Sequence, residues 1–476
     1  MVTSSKASTL ENIGTSTPRE ALERYSPVDG SLIFKTPMSS QSDVEGLFRN
    51  IDSQENKFQN LGVIKAARLL YGVCTELNRI RDEINHSIFL ETAKPESLVS
   101  GEFEAARNFM LALAGLSQFQ VGRVIPSSNS RKLVYTRSVP YGTAALITSH
   151  NTPLPNYAWK MAPSFLSLNS SILKPSEYTS SSAQKYVECF LSAGVPEFMV
   201  NLLHGGPSTV EALVLKMPEL VSFTGSFETG LVIKELTKSY SPKLILEMGG
   251  SNPIIVCSSA NLKLSAKAIV ESAFSNSGQR CASASRLIVH HNIFVELLDN
   301  IRQRIDEMLS EVGKDSFSGG IVNISAKNKH LKIIEMALES GAQIEEFSYK
   351  QNEAGQYVNP TLIFQTSKVS LPDEIEVFSP IIYVQEFGEN AEALELANNS
   401  SYALTAAVWT NELRDIEYFS QYIKSGVINI NGPTHGAEFQ FPFGGLKNSG
   451  NGAQEVGMNC LTEYAFEKIV SITHYE

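Results

Sequence analysis

The 476-residue chain is predicted to be an α/β protein, on three observations. From residue 142 onward, short apolar runs alternate with helical segments, the pattern of parallel strands joined by crossover helices. Runs such as Ala144-Ala145-Leu146-Ile147 and Leu287-Ile288-Val289 are apolar throughout, so their sheets are covered on both faces. Residues 120–138 read instead as a β-hairpin, with Val124-Ile125 ahead of a Ser127-Ser128-Asn129-Ser130 turn and Leu133-Val134-Tyr135-Thr136 behind it. A lone hairpin needs a partner sheet, in its own domain or in another subunit.

The elements before residue 142 are mostly helical. Residues 25–31 form a turn between two short strands, centred on Asp29-Gly30. Helices are expected over 42–51, 61–89 and 102–116, from apolar spacing such as Ala67, Leu70, Val73 and Leu77. Pro95 ends the second, because a proline disfavours helix at the residue before it. Strands are then expected at 143–148, 171–174, 200–203, 220–224 and 243–247, with helices at 156–168, 180–193, 210–216 and 230–236 between them. A second α/β unit follows, with strands at 254–256, 287–289, 381–384, 406–409 and 427–430. Its helices are 262–273, 293–312 and 414–424, and residues 465–474 form a final strand.

Composition narrows the function. The chain is 42% hydrophobic and 19% charged, as in ordinary globular proteins. A net charge of −11 gives no attraction to nucleic acid or to an anionic membrane. No apolar run reaches the roughly 18 residues of a membrane span. Five scattered cysteines, Cys74, Cys189, Cys257, Cys281 and Cys460, argue against a disulfide framework and for a reducing, cytoplasmic setting. Cys-x-x-Cys pairs and Cys/His clusters are missing, so no metal site is expected. Residues 1–18 read as a frayed tail rather than a secretory signal, since Glu11 is acidic and no apolar core is present.

Several stretches at expected strand ends can carry chemistry, and ligands of parallel sheets bind at that edge. Cys281 ends the small polar loop Ser275-Asn276-Ser277-Gly278-Gln279-Arg280, between a helix and a strand. A loop of this kind presents a thiol as a nucleophile, although free cysteines are more often small buried hydrophobes. Asn151 offers an amide donor suited to an oxyanion, or is a turn residue near Pro153. Lys174 and Glu177 can hydrogen-bond ribose hydroxyls, or are surface residues after a strand. Gly225-Ser226 opens a helix and suits a pyrophosphate, or is a plain strand-to-helix turn. Glu247 closes an apolar strand ahead of Gly249-Gly250. A partly desolvated carboxylate there serves as a general base, or as a cap or ion-pair partner. Gly450-Asn451-Gly452 is a weaker glycine signal.

In combination these stretches resemble the aldehyde dehydrogenase superfamily. The Phe-x-Asn-x-Gly-Gln-x-Cys motif is complete as Phe274, Asn276, Gly278, Gln279 and Cys281. Glu247-Met248-Gly249-Gly250 resembles Glu-Leu-Gly-Gly, at the family's spacing from the cysteine. Lys174-Pro175-Ser176-Glu177 and Phe223-Thr224-Gly225-Ser226 resemble its cofactor motifs. Glu376-Val377-Phe378-Ser379-Pro380 resembles Glu-x-Phe-Gly-Pro, and residues 442–450 resemble a late substrate-side motif. The resemblance runs from about Ser26 to the C-terminus.

The resemblance implies a Rossmann-type cofactor domain over 1–118 and 139–249, and an α/β catalytic domain over 250–440. Residues 119–138 and 441–476 supply a β-hairpin oligomerisation arm and the C-terminal segment of a homodimer or homotetramer. It implies oxidation of a small-molecule aldehyde by NAD, with NADP also possible. Cys281 attacks the carbonyl, Asn151 holds the oxyanion, and Glu247 activates the water that hydrolyses the thioester. Lys174 and Glu177 bind the adenosine ribose, the Gly225-Ser226 turn the pyrophosphate, Glu376 the nicotinamide ribose, and Phe378 packs near the ring. Glu177 would repel a 2′-phosphate, which favours NAD. The sequence departs from the family at Ser149-His150, where Pro-Trp is common, and at Ser251, Ala93, Ser379 and Ala453-Gln454. His150 is read as a packing side chain. Two alternatives stay open: an enzyme that passes the acyl group to coenzyme A, and a non-catalytic homologue.

Overall fold

The computed structural model describes residues 20–54, 61–119, 122–310, 320–349, 355–365, 376–436 and 438–475. The expected tail at 1–18 lies outside them, as do residues 120 and 121 of the hairpin.

Two sheets carry most of the core. The first has five parallel strands in the spatial order Val200–Leu202, Ser170–Lys174, Thr143–Ile147, Leu220–Thr224 and Lys243–Glu247. Side chains alternate between its faces with the period of two that strands impose. Leu146, Leu173, Leu220 and Ile245 point into a core shared with helices Val63–Arg79, Glu96–Ser117, Pro153–Leu166 and Ser180–Ser192. Ile147, Ile172, Val221, Phe223 and Leu246 face the opposite way, toward helices Gln41–Ser53, Pro207–Val214 and Phe227–Thr237. The chain builds outward from Thr143–Ile147 to one side, then returns to lay Leu220–Thr224 along its other edge. That reversal opens a crevice beyond the carboxyl ends of the strands.

The second sheet has seven strands, in the order Gln343–Glu346, Thr361–Phe364, Ile381–Phe387, Ala284–His290, Asn252–Val256, Thr405–Trp409 and Val427–Ile430. All pairs are parallel except the outermost, where Gln343–Glu346 runs antiparallel to Thr361–Phe364. A third sheet joins the hairpin to the end of the chain. Lys132–Pro140 pairs with Val124–Ile125 on one side, and with Ala465–Thr473 from Pro140 opposite Ala465 to Lys132 opposite Thr473 on the other. The hairpin's partner within the described residues is thus the chain's own last strand.

The structure differs locally from the sequence expectations. The helix expected over 61–89 is two helices, Val63–Arg79 and Arg81–Thr92, because Ile80 leaves helical geometry at φ −103° and ψ 18°. The break at Pro95 stands as expected, and the turn before it is completed by Ala93 at φ 54°. A left-handed alanine costs about 1–2 kcal/mol relative to glycine, at a position where the resembling family commonly has Gly. Strand Gln343–Glu346 escaped prediction because an exposed edge strand of Gln, Ile and two Glu carries neither alternation nor β-branched enrichment. Helices Ile324–Glu339 and Asn390–Asn398 were not anticipated either.

The late segment around Gly450 has a structural use. Met248 N–H donates to Ser449 O (2.9 Å), and the Asn451 side chain bonds Leu246 N (3.0 Å) and Leu244 O (3.0 Å). It therefore covers the open edge of strand Lys243–Glu247, while the Ser449 hydroxyl accepts from Ala403 N at 2.9 Å. Gly450-Asn451-Gly452 is an edge cover between the two sheets, which accounts for its glycines without a phosphate.

Candidate active site

Four strands of the five-stranded sheet end at one cavity. Ile147 leads to Asn151, Lys174 stands at its own strand's end, Thr224 precedes Gly225-Ser226, and Glu247 closes the edge strand. The cavity measures about 1090 Å³, and Cys281, Glu376 and Phe378 line it together with all of those residues. Every site residue expected from the sequence borders this one space. Its volume is at the upper end of those that hold drug-sized ligands.

The Cys281 loop owes its shape to three consecutive left-handed residues, Asn276 (φ 53°), Ser277 (φ 54°) and Gly278 (φ 68°). Two of them are not glycine, so the surroundings must hold them there. Asn276 Nδ2 donates to Asn151 O (3.3 Å) and Gln279 O (3.1 Å). Gln279 Nε2 reaches Gly320 O (2.9 Å), and its Oε1 accepts from Val322 N (3.1 Å). Gly278 has no alternative, since a Cβ there would lie 2.3 Å from Ser379 O. Asn252 fastens the far end, donating from Nδ2 to Cys281 O and Ser283 O, each at 2.8 Å. The residues of the Phe-x-Asn-x-Gly-Gln-x-Cys pattern are thus the clamps of one strained turn.

Burial pushes the Cys281 thiol up to about 12, and the facing Glu247 and Glu376 carboxylates add to the rise. The side chain is partly open to the cavity. Glu247 is buried, and neither of its carboxylate oxygens has a hydrogen-bond partner among the described residues. Desolvation holds its pKa well above the usual carboxylate range, with the Glu455 charge adding and the Lys160 charge opposing. Sequence reading missed that neighbouring pair. Lys160 and Glu455, both fully withdrawn from water, form an ion pair, and Lys160 also donates to Ser222 Oγ at 3.0 Å. No sequence signal marks it, because its partners come from a helix and a C-terminal loop far apart in the chain.

Ser149, itself held by Asn156, contacts the Asn151 side chain, and Lys94 and Asn276 hold its main-chain carbonyl. Ser149 Oγ donates to Asn151 Oδ1 (2.7 Å) and accepts from Asn156 Nδ2 (3.0 Å). Lys94 Nζ donates to the Asn151 carbonyl at 2.6 Å, beside the Asn276 contact. Lys94 is itself buried and ion-paired with Glu102. With Oδ1 occupied, the Asn151 NH₂ is left without a protein partner among the described residues and borders the cavity. His150, next in the chain, packs edge-on to the rings of Tyr178 (5.8 Å) and Phe378 (5.9 Å). Burial and the Arg24 and Lys94 charges push its imidazole down to about 3, so it is neutral near pH 7.

The other half of the cavity fits a dinucleotide. Lys174 Nζ donates to Pro175 O (2.7 Å) and Gly205 O (2.8 Å), leaving one donor for a ligand, and burial lowers it to about 8. Half-buried Glu177 follows two residues after Pro175. Ser226 caps helix Phe227–Thr237, taking the Thr229 N–H on its own Oγ (3.3 Å), and the other first-turn N–H groups remain for an anion. Buried Thr224 Oγ1 has no partner among the described residues. Glu376 bends over Gly249 so closely that a Cβ there would lie 2.2 Å from its carboxyl carbon. Burial raises Glu376 to about 7, opposed by Lys329, whose Nζ donates to Glu376 O at 2.5 Å. Orphaned Thr224, the spare Lys174 donor and the open helix end are donors and acceptors arranged for an elongated, phosphate-containing partner. Among the described residues, no group of three His, Cys, Asp or Glu side chains comes together to hold a metal.

The model of the aldehyde dehydrogenase family matches residues 14–470. The chain belongs to that family. It is therefore an oxidoreductase acting on aldehydes with NAD or NADP as acceptor. A 2,5-dioxopentanoate dehydrogenase of Saccharolobus solfataricus is 33% identical, over 81% of this chain and 82% of that one. An α-ketoglutaric semialdehyde dehydrogenase of Bacillus subtilis is 29% identical over 88% of each. In three dimensions, the betaine aldehyde dehydrogenase of Staphylococcus aureus, solved with NAD⁺, superposes with a TM-score of 0.88 at 25% identity, covering 95% of this chain and 91% of that one. The α/β class and the enzyme class expected from the sequence both hold.

Proposed function

We propose that the protein oxidises an aldehyde to its carboxylic acid by covalent catalysis on Cys281 followed by hydrolysis. The observation that carries this is the meeting, in one cavity, of a thiol, an unpartnered amide donor and an unpartnered buried carboxylate. Cys281 gives up its proton to solvent and adds as thiolate to the carbonyl carbon, and the Asn151 NH₂ with the Cys281 N–H stabilises the oxygen as it becomes negative. Lys174, Glu177, Ser226 and Glu376 would hold NAD(P) beside this adduct, where it would supply the hydride acceptor whose use leaves a thioester on Cys281. Glu247 then takes a proton from the water that attacks the thioester, and the acid leaves with Cys281 restored. The Lys160–Glu455 pair lowers the field that a charged Glu247 feels from Glu455 alone. A buried water-activating carboxylate supports hydrolysis over transfer to coenzyme A.

Lys174 and Glu177 hold the adenosine ribose, Gly225-Ser226 the pyrophosphate and Glu376 the nicotinamide ribose, with Phe378 against the ring. Glu177 at the ribose favours NAD over NADP by charge. The cofactor domain comprises residues 1–118 and 139–249 and the catalytic domain 250–440. The three-stranded sheet is the oligomerisation arm. Its exposed Val124, Phe466 and Ile472 share one face and form an apolar surface suited to a second copy, in a homodimer or homotetramer. All five cysteines are free, and no described helix is long and apolar enough to cross a membrane; a reducing cytoplasm suits both facts.

The test is reduction of NAD and of NADP by the purified protein over aliphatic, aromatic and carboxylated aldehydes, with the acid identified as product. Acyl transfer to coenzyme A in place of acid, or no oxidation of any aldehyde, would overturn the proposal. Within that assay, Asn151→Ala is expected to lower kcat/KM by about 10²–10³-fold, the worth of one oxyanion donor. Asn151→Asp should be no better, because its carboxylate repels the developing charge. An unchanged kcat/KM in Asn151→Ala would remove the amide from the mechanism.

A further inference from the structure

Resting on that reading, we propose that Arg280 is a specificity-determining residue, and that the preferred substrate is a short aldehyde bearing a carboxylate at the end away from the carbonyl. Arg280 precedes the nucleophile in the chain and lines the same cavity. Its guanidinium spends one of five donors inside the protein, Nη1 on Ser275 Oγ at 3.0 Å. No carboxylate lies within ion-pair distance of it among the described residues. The acid nearest in effect, Glu102, is already paired with Lys94. That pair is neutral as a unit, so the guanidinium is a surplus positive charge.

The neighbours sharpen this. His435 lines the cavity beside Arg280, and burial followed by the Arg280 charge pushes its imidazole down to about 4. It therefore adds no second cation near pH 7. Glu102 Oε2 is buried and without a partner among the described residues, leaving an acceptor for a hydroxyl or for the substrate's hydration. Leu98, Trp159 and Phe443 supply apolar wall nearby, which suits a methylene stem.

A half-buried guanidinium with spare donors is unfavourable alone and becomes favourable when an anion pairs with it. Its planar fork matches a carboxylate bidentately. Size follows from position. Arg280 and Cys281 are consecutive and line the same cavity, so a carbonyl at the thiol and a carboxylate at the guanidinium belong to one small molecule.

The experiment compares 5-oxopentanoate with pentanal, equal in length and differing in charge, on the wild type, Arg280→Leu and Arg280→Lys. The wild type is expected to favour 5-oxopentanoate in kcat/KM by about 100-fold, and Arg280→Leu to erase that ratio, chiefly through KM. Arg280→Lys should keep part of it, as charge without the fork. A second readout needs no turnover: glutarate should slow alkylation of Cys281 by iodoacetamide in the wild type and not in Arg280→Leu. A wild type that treats both aldehydes alike, or equal glutarate protection in both proteins, would overturn the assignment. If the wild type oxidises neither aldehyde, the enzymatic reading fails, and the glutarate protection still decides the role of Arg280.

Discussion

Replacing Cys281 with serine is expected to lower kcat by about 10⁴-fold or more, the loss typical of a removed covalent nucleophile. A hydroxyl in this cavity is both harder to ionise and less nucleophilic than a thiol. The clamps on the turn, Asn276, Gln279 and Asn252, do not involve the sulfur, so the fold and the cofactor half of the cavity should be intact. Calorimetric NAD binding close to wild type, with no rapid formation of reduced cofactor in stopped flow, is the expected pair of results. Substantial turnover by the serine variant would discard covalent catalysis on Cys281. The thiol also predicts a pH dependence. Burial with Glu247 and Glu376 facing it pushes it up to about 12, so alkylation of the cofactor-free protein should keep accelerating as pH rises through the neutral and alkaline range. Glu376→Gln, by removing one opposing charge, should speed that alkylation at a fixed pH.

The second large effect is expected from Glu247→Gln. General-base contributions are typically about 10²–10⁴-fold, and here the loss should fall on thioester hydrolysis alone. A first turnover of reduced cofactor should still appear as a burst, followed by a slow steady state. Intact-mass spectrometry should find the acyl group on Cys281. The sign with pH follows from burial. The folded pKa of Glu247 lies well above the carboxylate range, the base is the deprotonated form, and wild-type steady-state activity therefore rises with pH through that elevated value. Glu247→Gln has no such group and should lose that rising limb. A glutamine variant with a normal steady state, or one that keeps the limb, would assign water activation elsewhere, with Glu455 the next carboxylate lining the cavity.

Much of this site could be read in the chain because each expected residue belongs to a short local pattern. Cys281 with Asn276, Gly278 and Gln279, Glu247 with Gly249, and Glu376 with Phe378 each occupy a few consecutive positions whose backbone needs are visible in residue type. The two sheets were legible for a similar reason, since buried parallel strands are uninterrupted apolar runs and the helices between them keep apolar spacing. What escaped was polar, distant or short, as with the four-residue apolar strand Thr361–Phe364. Gln343–Glu346 is a strand by pairing rather than by composition. Ile80 breaks a helix with no proline or glycine to announce it.

The sequence by itself determined the α/β class, the order of the strands along the chain, the nucleophile and its turn, and the family to which they belong. Tertiary structure alone decided the states of those groups. Lys94 and Asn276 converge from two distant segments on the main-chain carbonyl of Asn151 and hold its backbone at the cavity. Lys160 and Glu455 meet behind Glu247, and Arg280 is left with a charge that Lys94 has denied it the means to pair. Each depends on which side chains are near and how much water is excluded. Desolvation and Coulomb interactions vary with distance in space, a quantity that separation along the chain does not set.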